Sequence, residues 1–140
     1  MSRTPDTIST LRDVLHRCRT LAVVGLSPKP HRDSYGVARY MQAQGYRIIP
    51  VNPNAREVLG ERAWATLAEA AQHEKIDLVN VFRNSEDVPP VADDAMAIGA
   101  RGLWLQKGIA HDAAAARARA AGLRVVQDAC LMVEHARRKR

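Results

Sequence analysis

The sequence predicts an α/β fold: a Rossmann-like, doubly wound sheet of five parallel strands with helices on both faces. Three observations predict it. Five short apolar runs recur along the chain, and between them lie segments whose apolar residues repeat at helical spacing. Glycines stand where several of those segments should stop. The 140 residues suffice for one domain with a buried core, and strands alternating with helices favour a parallel sheet covered on both sides.

Ile8, Leu11, Leu15 and Cys18 recur at helical spacing and place an N-terminal helix within residues 1–18. Leu21–Val24 is the first strand. Ser34 is positioned to cap a helix running to about Gln44, with Gly45 as its stop. Tyr46–Val51 is the second strand. Trp64, Leu67, Ala68 and Ala71 mark a helix with Thr66 in its first turn. Asp77–Phe82 is the third strand, and Ser85 or Glu86 opens a helix that ends before Gly99. Gly102–Gln106 is the fourth strand, His111–Ala121 an alanine-rich helix stopped by Gly122, and Leu123–Gln127 the fifth strand. A last helix begins at Cys130 and leads into a basic tail, 136–140. Right-handed crossovers leave few topologies, and the expected strand order is 3-2-1-4-5.

No apolar run is long enough for a membrane span, and MSRTPDTISTLRD lacks the apolar core of a signal peptide, so the expected location is cytoplasmic. Cys18 and Cys130 show no metal-ligand spacing. The net charge of +6 raises the question of nucleic acid. Four cations, Arg137, Arg138, Lys139 and Arg140, cluster at the C-terminus, and without them the excess falls to +2. The basicity therefore reads as a solvated tail, and no basic stripe interleaved with aromatics accompanies it.

Open parallel sheets bind ligands beyond the carboxyl ends of their strands, where the strand order reverses. In the expected order that point lies between the first and fourth strands. The nominated residues are Gly25–Ser27, Asn52–Asn54, Phe82–Asn84, Gln106–Gly108 and Asp128–Cys130. Gly25 permits a tight turn and the approach of backbone N–H groups to a phosphate. The following helix adds its dipole, and Lys29 and Arg32 add charge-assisted contacts. The competing reading is a solvated basic loop. The end of the second strand, Val51-Asn52-Pro53-Asn54, has no acid to hold ribose hydroxyls until Glu57, which argues against plain NAD. Arg56 instead suits an extra phosphate, as NADP and coenzyme A both carry.

The segments VVGLSPKPHRDSYGVARYM, IIPVNPNAREVLG, IDLVNVFRNSEDVP, GLWLQKGI and DACLMVEH span residues 20–135. With them the chain resembles the small stand-alone CoA-binding proteins, relatives of the N-terminal CoA-binding domain of the succinyl-CoA synthetase alpha subunit. The resemblance implies binding of coenzyme A or an acyl-CoA at the switch point. By position it implicates Gly25, Leu26 and Ser27 in the phosphate turn, Lys29 and Arg32 in the insert, and Pro53 and Arg56 after the second strand. Val81, Phe82 and Arg83 end the third strand, and Gln106 and Lys107 the fourth. Two positions depart from that pattern: Lys107, where relatives often carry an uncharged or acidic residue, and Ala129, where an arginine is common.

No catalytic centre is expected. The five histidines fall in separate segments without a triad partner or metal spacing. His31 is a phosphate contact or an exposed turn residue. Cys130 reads as a packed thiol at a helix start, or as a partner for the pantetheine thiol in a mixed disulfide. Asn80 reaches the ligand or pairs with backbone, and Trp64 and Trp104 are packing residues. Non-catalytic binding of a CoA ligand is thus the expectation. The alternatives are an NADP-dependent oxidoreductase fragment, nucleic-acid binding through the tail, and a partner chain that supplies catalysis.

Overall fold

Each apolar run forms a strand in the computed structural model, which describes residues 5–139. Helix α1 (Pro5–Arg17) precedes β1 (Thr20–Val24), and α2 (Asp33–Ala43) leads into β2 (Arg47–Val51). A small hairpin follows, β3 (Glu57–Val58) and β4 (Glu61–Arg62), then α3 (Leu67–Ala71) and β5 (Leu78–Val81). A 3-10 turn (Ser85–Asp87) runs into α4 (Val88–Ala97), then β6 (Gly102–Leu105), α5 (Asp112–Ala120), β7 (Arg124–Val126) and α6 (Leu131–Arg138). The hairpin was not expected. Its strands are two residues long, and its turn, Leu59-Gly60, has φ of 55° and 77°, the left-handed values that a tight hairpin needs.

The five strands of the main sheet are parallel, and its helices lie on both faces, as expected. Alternation along the strands assigns the two cores. Ala22, Val24, Ile49, Val51, Val79, Val81, Leu103 and Leu105 pack with α3, α4 and α5. Leu21, Val23, Ile48, Leu78, Trp104 and Val126 pack with α1, α2 and α6. Both faces of every strand are covered, which is why the strands read as continuous apolar runs.

The strand order differs from the expectation. It is β2-β1-β5-β6-β7, so by rank in the sheet 2-1-3-4-5 rather than 3-2-1-4-5. The third strand lies beside β1, not outside β2. The outer border of β2 is already engaged: the Trp64 N–H donates to the Pro50 carbonyl at 3.0 Å, and the Asn52 N–H donates to the Trp64 carbonyl at 2.8 Å. The chain must then pass back across the sheet, and α3 carries it to the far side of β1. The point where the order reverses therefore lies between β1 and β5, not between the first and fourth strands.

Two further expectations change. Ser34 does not cap α2. Arg32 occupies the cap position without a side-chain bond, and the Ser34 hydroxyl accepts the Ser27 N–H at 3.0 Å. The basic tail is largely helical rather than frayed, and Arg137 and Lys139 remain exposed as expected. Arg137 and Arg138 belong to α6 and reach the buried Glu134 at 3.3 and 2.8 Å, while Arg140 lies outside the described residues. Among the described residues no helix is long and apolar enough to cross a membrane.

Candidate functional site

Because the sheet is parallel, the carboxyl ends of all five strands share one edge, and the loops after them meet there. Gly25 makes the first turn. Its φ is +88°, and a Cβ on it would stand 2.6 Å from the Phe82 carbonyl oxygen, so the loops after β1 and β5 touch only because this side chain is missing. Its N–H donates to the Val51 carbonyl at 2.9 Å. Gly25 therefore makes the tight turn expected of it, while its own N–H is engaged with β2. Leu26 is fully buried, and its carbonyl accepts the Asn52 side-chain amide at 2.9 Å, so it packs beneath the loop.

The insert is folded by its own bonds. The Lys29 N–H donates to the Ser27 hydroxyl at 3.1 Å, and the Arg32 N–H donates to the Lys29 carbonyl at 3.0 Å. The side chains of Lys29, His31 and Arg32 stay exposed beside the start of α2. That start has no side-chain cap, so its first-turn N–H groups and the positive end of its dipole face the loop. Asp33 stands in the same turn, so an anion there meets three basic side chains and one acid.

Three adjoining hollows line the edge. The first, about 580 Å³, gathers Gly25, Ser27, Lys29, His31, Arg32 and Phe82. The largest, about 1190 Å³, shares His31, Arg32 and Phe82 with it and extends past Arg83, Gln106 and Lys107 to Cys130, Met132 and Val133. The third, about 340 Å³, joins Gly25 and Arg83 to Pro53 and Thr66. Nine of the residues nominated from sequence thus meet at one edge. Leu26, Arg56 and Val81 line none of the three. Val81 is buried on the face covered by α3–α5, and Arg56 lies exposed just before β3.

Polar ties hold the floor of the largest hollow. Gln106 is only 6% exposed, and its Oε1 accepts from the Asn80 amide at 3.4 Å and the Leu131 N–H at 3.3 Å, fixing the start of α6 to the end of β6. Asn80 also donates to the Trp104 carbonyl at 3.4 Å, so its side chain is engaged inside the sheet. Trp104 is buried and donates to the Ala129 carbonyl at 2.8 Å. Trp64 stacks on His73 with the Arg62 guanidinium over its ring, away from these hollows. Asp128 adopts φ 52°, uncommon for a side chain, while its carboxylate accepts the Gly108 N–H at 2.7 Å and ties the loops after β6 and β7 together.

Sequence reasoning missed Ser85, Ile109, Met132 and Val133, all of which line the largest hollow, while Asn84, nominated at the end of the third strand, lines it as expected. Val133 carried a signal: an apolar residue on the polar side of a short amphipathic helix, it is 39% exposed here. Cys130 is half-buried at the head of α6 and faces the same hollow, whereas Cys18 lies in the core, where burial pushes its thiol up to about 11. The arrangement joins a basic loop and an uncapped helix start to a partly apolar trough. It can recognise a ligand that is anionic at one end and extended and less polar at the other.

Known proteins were compared with the chain. A family model described as "CoA binding domain" matches residues 19–136. The uncharacterized protein YneT of Bacillus subtilis is 41% identical over 126 residues, covering 90% of this chain and 92% of its own. A hypothetical protein from Pyrococcus horikoshii OT3 has a similar structure, with a TM-score of 0.90 and 34% identity over 98% of this chain and 96% of that one. The dinucleotide-forming acetyl-coenzyme A synthetase 1 of Ca. Korarchaeum cryptofilum, in complex with phosphate and ADP, gives a TM-score of 0.70 at 22% identity. That match covers 81% of this chain and 26% of the synthetase chain, and at such identity the likeness is one of fold.

Proposed function

The chain belongs to the CoA-binding domain family, and from that premise we propose that it binds coenzyme A or an acyl-CoA at the carboxyl edge of its sheet without catalysing a reaction. The observation that carries this reading is the continuity of the hollows. The basic loop of Lys29, His31 and Arg32 opens directly into the trough that ends at Met132 and Val133. In this reading Lys29, Arg32 and the first turn of α2 hold the phosphates, by charge-assisted bonds and by the helix dipole. Phe82, Ile109, Met132 and Val133 lie along the pantetheine arm. Gly25, Ser27, Pro53 and Arg83 shape the turn, with Gln106 and Lys107 at the floor and rim. Arg56 is given no contact, because it stands apart from the hollows.

The synthetase is named for a reaction of acetyl-coenzyme A, and the match covers a quarter of it. The reading assigns this chain recognition alone, a step that needs no proton transfer or nucleophile.

The test is thermal protection by coenzyme A, dephospho-coenzyme A, NADP and NAD at equal concentration. At one hundred times its dissociation constant a ligand adds about 2.7 kcal/mol. For a chain of this size that is a rise in Tm of about 10 °C. Coenzyme A is expected to protect, and the Lys29→Ala/Arg32→Ala variant to lose most of that protection. Protection by NADP and not by coenzyme A, or by none of the four, would overturn the proposal.

A further inference from the structure

A separate hollow of about 730 Å³ lies on the other side of the molecule, between α1 and α6 near the start of β2. Its floor is Leu15 and Tyr46, and it shares no lining residue with the three hollows at the carboxyl edge. Among the described residues, Arg12, His16, His135, Arg137, Arg138 and Lys139 stand around it and no carboxylate lines it. We infer that this hollow is an independent anion site that takes a compact oligophosphate, either inorganic or the phosphate chain of a nucleotide.

Among the described residues the charge is not balanced locally. Glu134, 3% exposed, is turned inward to Arg137 and Arg138, and one buried carboxylate offsets one of four cations. Helix dipoles do not explain the cluster either. They favour Arg137 and Arg138 in the last turn of α6, but Arg12 precedes the last turn of α1 and Lys139 lies past the end of α6. His135, on the wall of the hollow, is held below its ordinary value by burial first and then by Lys139 and Arg19. The cations surround one concavity instead of forming a stripe, which favours a compact ligand over a duplex, whose phosphates spread along a surface.

The experiment is calorimetric titration of the full chain with sodium tripolyphosphate, ATP and a short duplex DNA. The variants are Arg12→Glu/Lys139→Glu at this hollow and Lys29→Ala/Arg32→Ala at the other edge. Tripolyphosphate is expected to bind the parent, and the glutamate pair to weaken it by about tenfold or more, with thermal protection by coenzyme A unchanged. The Lys29→Ala/Arg32→Ala variant should leave tripolyphosphate binding intact. Equal affinity for ATP identifies the phosphate chain as the whole ligand, and tighter binding of ATP adds a contribution from its nucleoside. If the glutamate pair lowers the Tm of the free protein, the neutral pair Arg12→Gln/Lys139→Gln serves, with the same direction expected. The inference fails if tripolyphosphate does not bind, if neither pair of variants weakens it, or if only the duplex binds. Loss of coenzyme A protection in the glutamate pair, with protection kept in Lys29→Ala/Arg32→Ala, would overturn both this site and the reading of the carboxyl edge.

Discussion

Gly25→Ala isolates the contact on which the carboxyl edge is built. Two costs add. An L-residue at φ +88° is strained by about 1–2 kcal/mol. The new methyl would also stand 2.6 Å from the Phe82 carbonyl oxygen, a backbone atom that cannot swing aside. The Phe82 N–H is bonded to Val24 and the Gly25 N–H to Val51, both at 2.9 Å, so relief means spreading β1 from β5 against their own hydrogen bonds. Overpacking of that kind costs about 1–3 kcal/mol. The sum, about 3 kcal/mol, corresponds to a fall in Tm of about 10 °C for a chain of this length. Gly36→Ala is the internal control. It lies inside α2, and nothing stands within 4 Å of the added methyl, so the substitution should stabilise by about 0.5–1 kcal/mol through helix propensity. Urea denaturation followed by circular dichroism measures both. A Gly25→Ala variant within 1 kcal/mol of the parent, or two shifts of the same sign, would refute the packing argument.

Iodoacetamide at pH 8 should add one carbamidomethyl group quickly, at Cys130, because Cys18 is buried with its thiol pushed up to about 11; two fast adducts in the intact mass would contradict this. Trp104→Phe removes the 2.8 Å bond to the Ala129 carbonyl inside the core and should cost about 1–3 kcal/mol in urea unfolding. An unchanged midpoint would show that another donor replaces the indole. Because burial and neighbouring cations hold the His135 imidazole below its ordinary 6.5, the unfolded chain takes up that proton first. The group therefore supports the fold above pH 6.5 and withdraws support as the pH falls through its lowered value. His135→Gln should flatten stability between pH 7.5 and 5, and an unaltered pH profile would exclude the effect.

The strands and helices were legible because burial on both faces writes continuous apolar runs, and glycine stops write the helix ends. The site edge was legible for a related reason: in a parallel sheet, the carboxyl ends of all strands converge whatever their order. The order itself was not. It depends on what occupies the outer border of β2, and Trp64 reaches that border from thirteen residues beyond Val51. Ser34 looked like a cap because its residue type favours one, but the Ser27 N–H claims its hydroxyl. Leu26 and Val81 were placed at the site by position alone, and which face of the chain each presents is decided by packing. The C-terminal cations were visible as charge, but their neighbourhood with Arg12 depends on α1 and α6 lying side by side, a contact across most of the chain.

The border of β2 has one more consequence. An open sheet has two lateral margins whose free amides and carbonyls can template a strand from another molecule, the first step toward fibres. Here Trp64 occupies the carboxyl-terminal part of one margin, while Arg47 at the other end of β2 is engaged in an ion pair with Glu74. The opposite margin, β7, is three residues long and begins on Arg124, which is paired with Asp13. The detour that sends the third strand to the far side of β1 thus also guards a sheet of apolar strands against growing sideways from molecule to molecule.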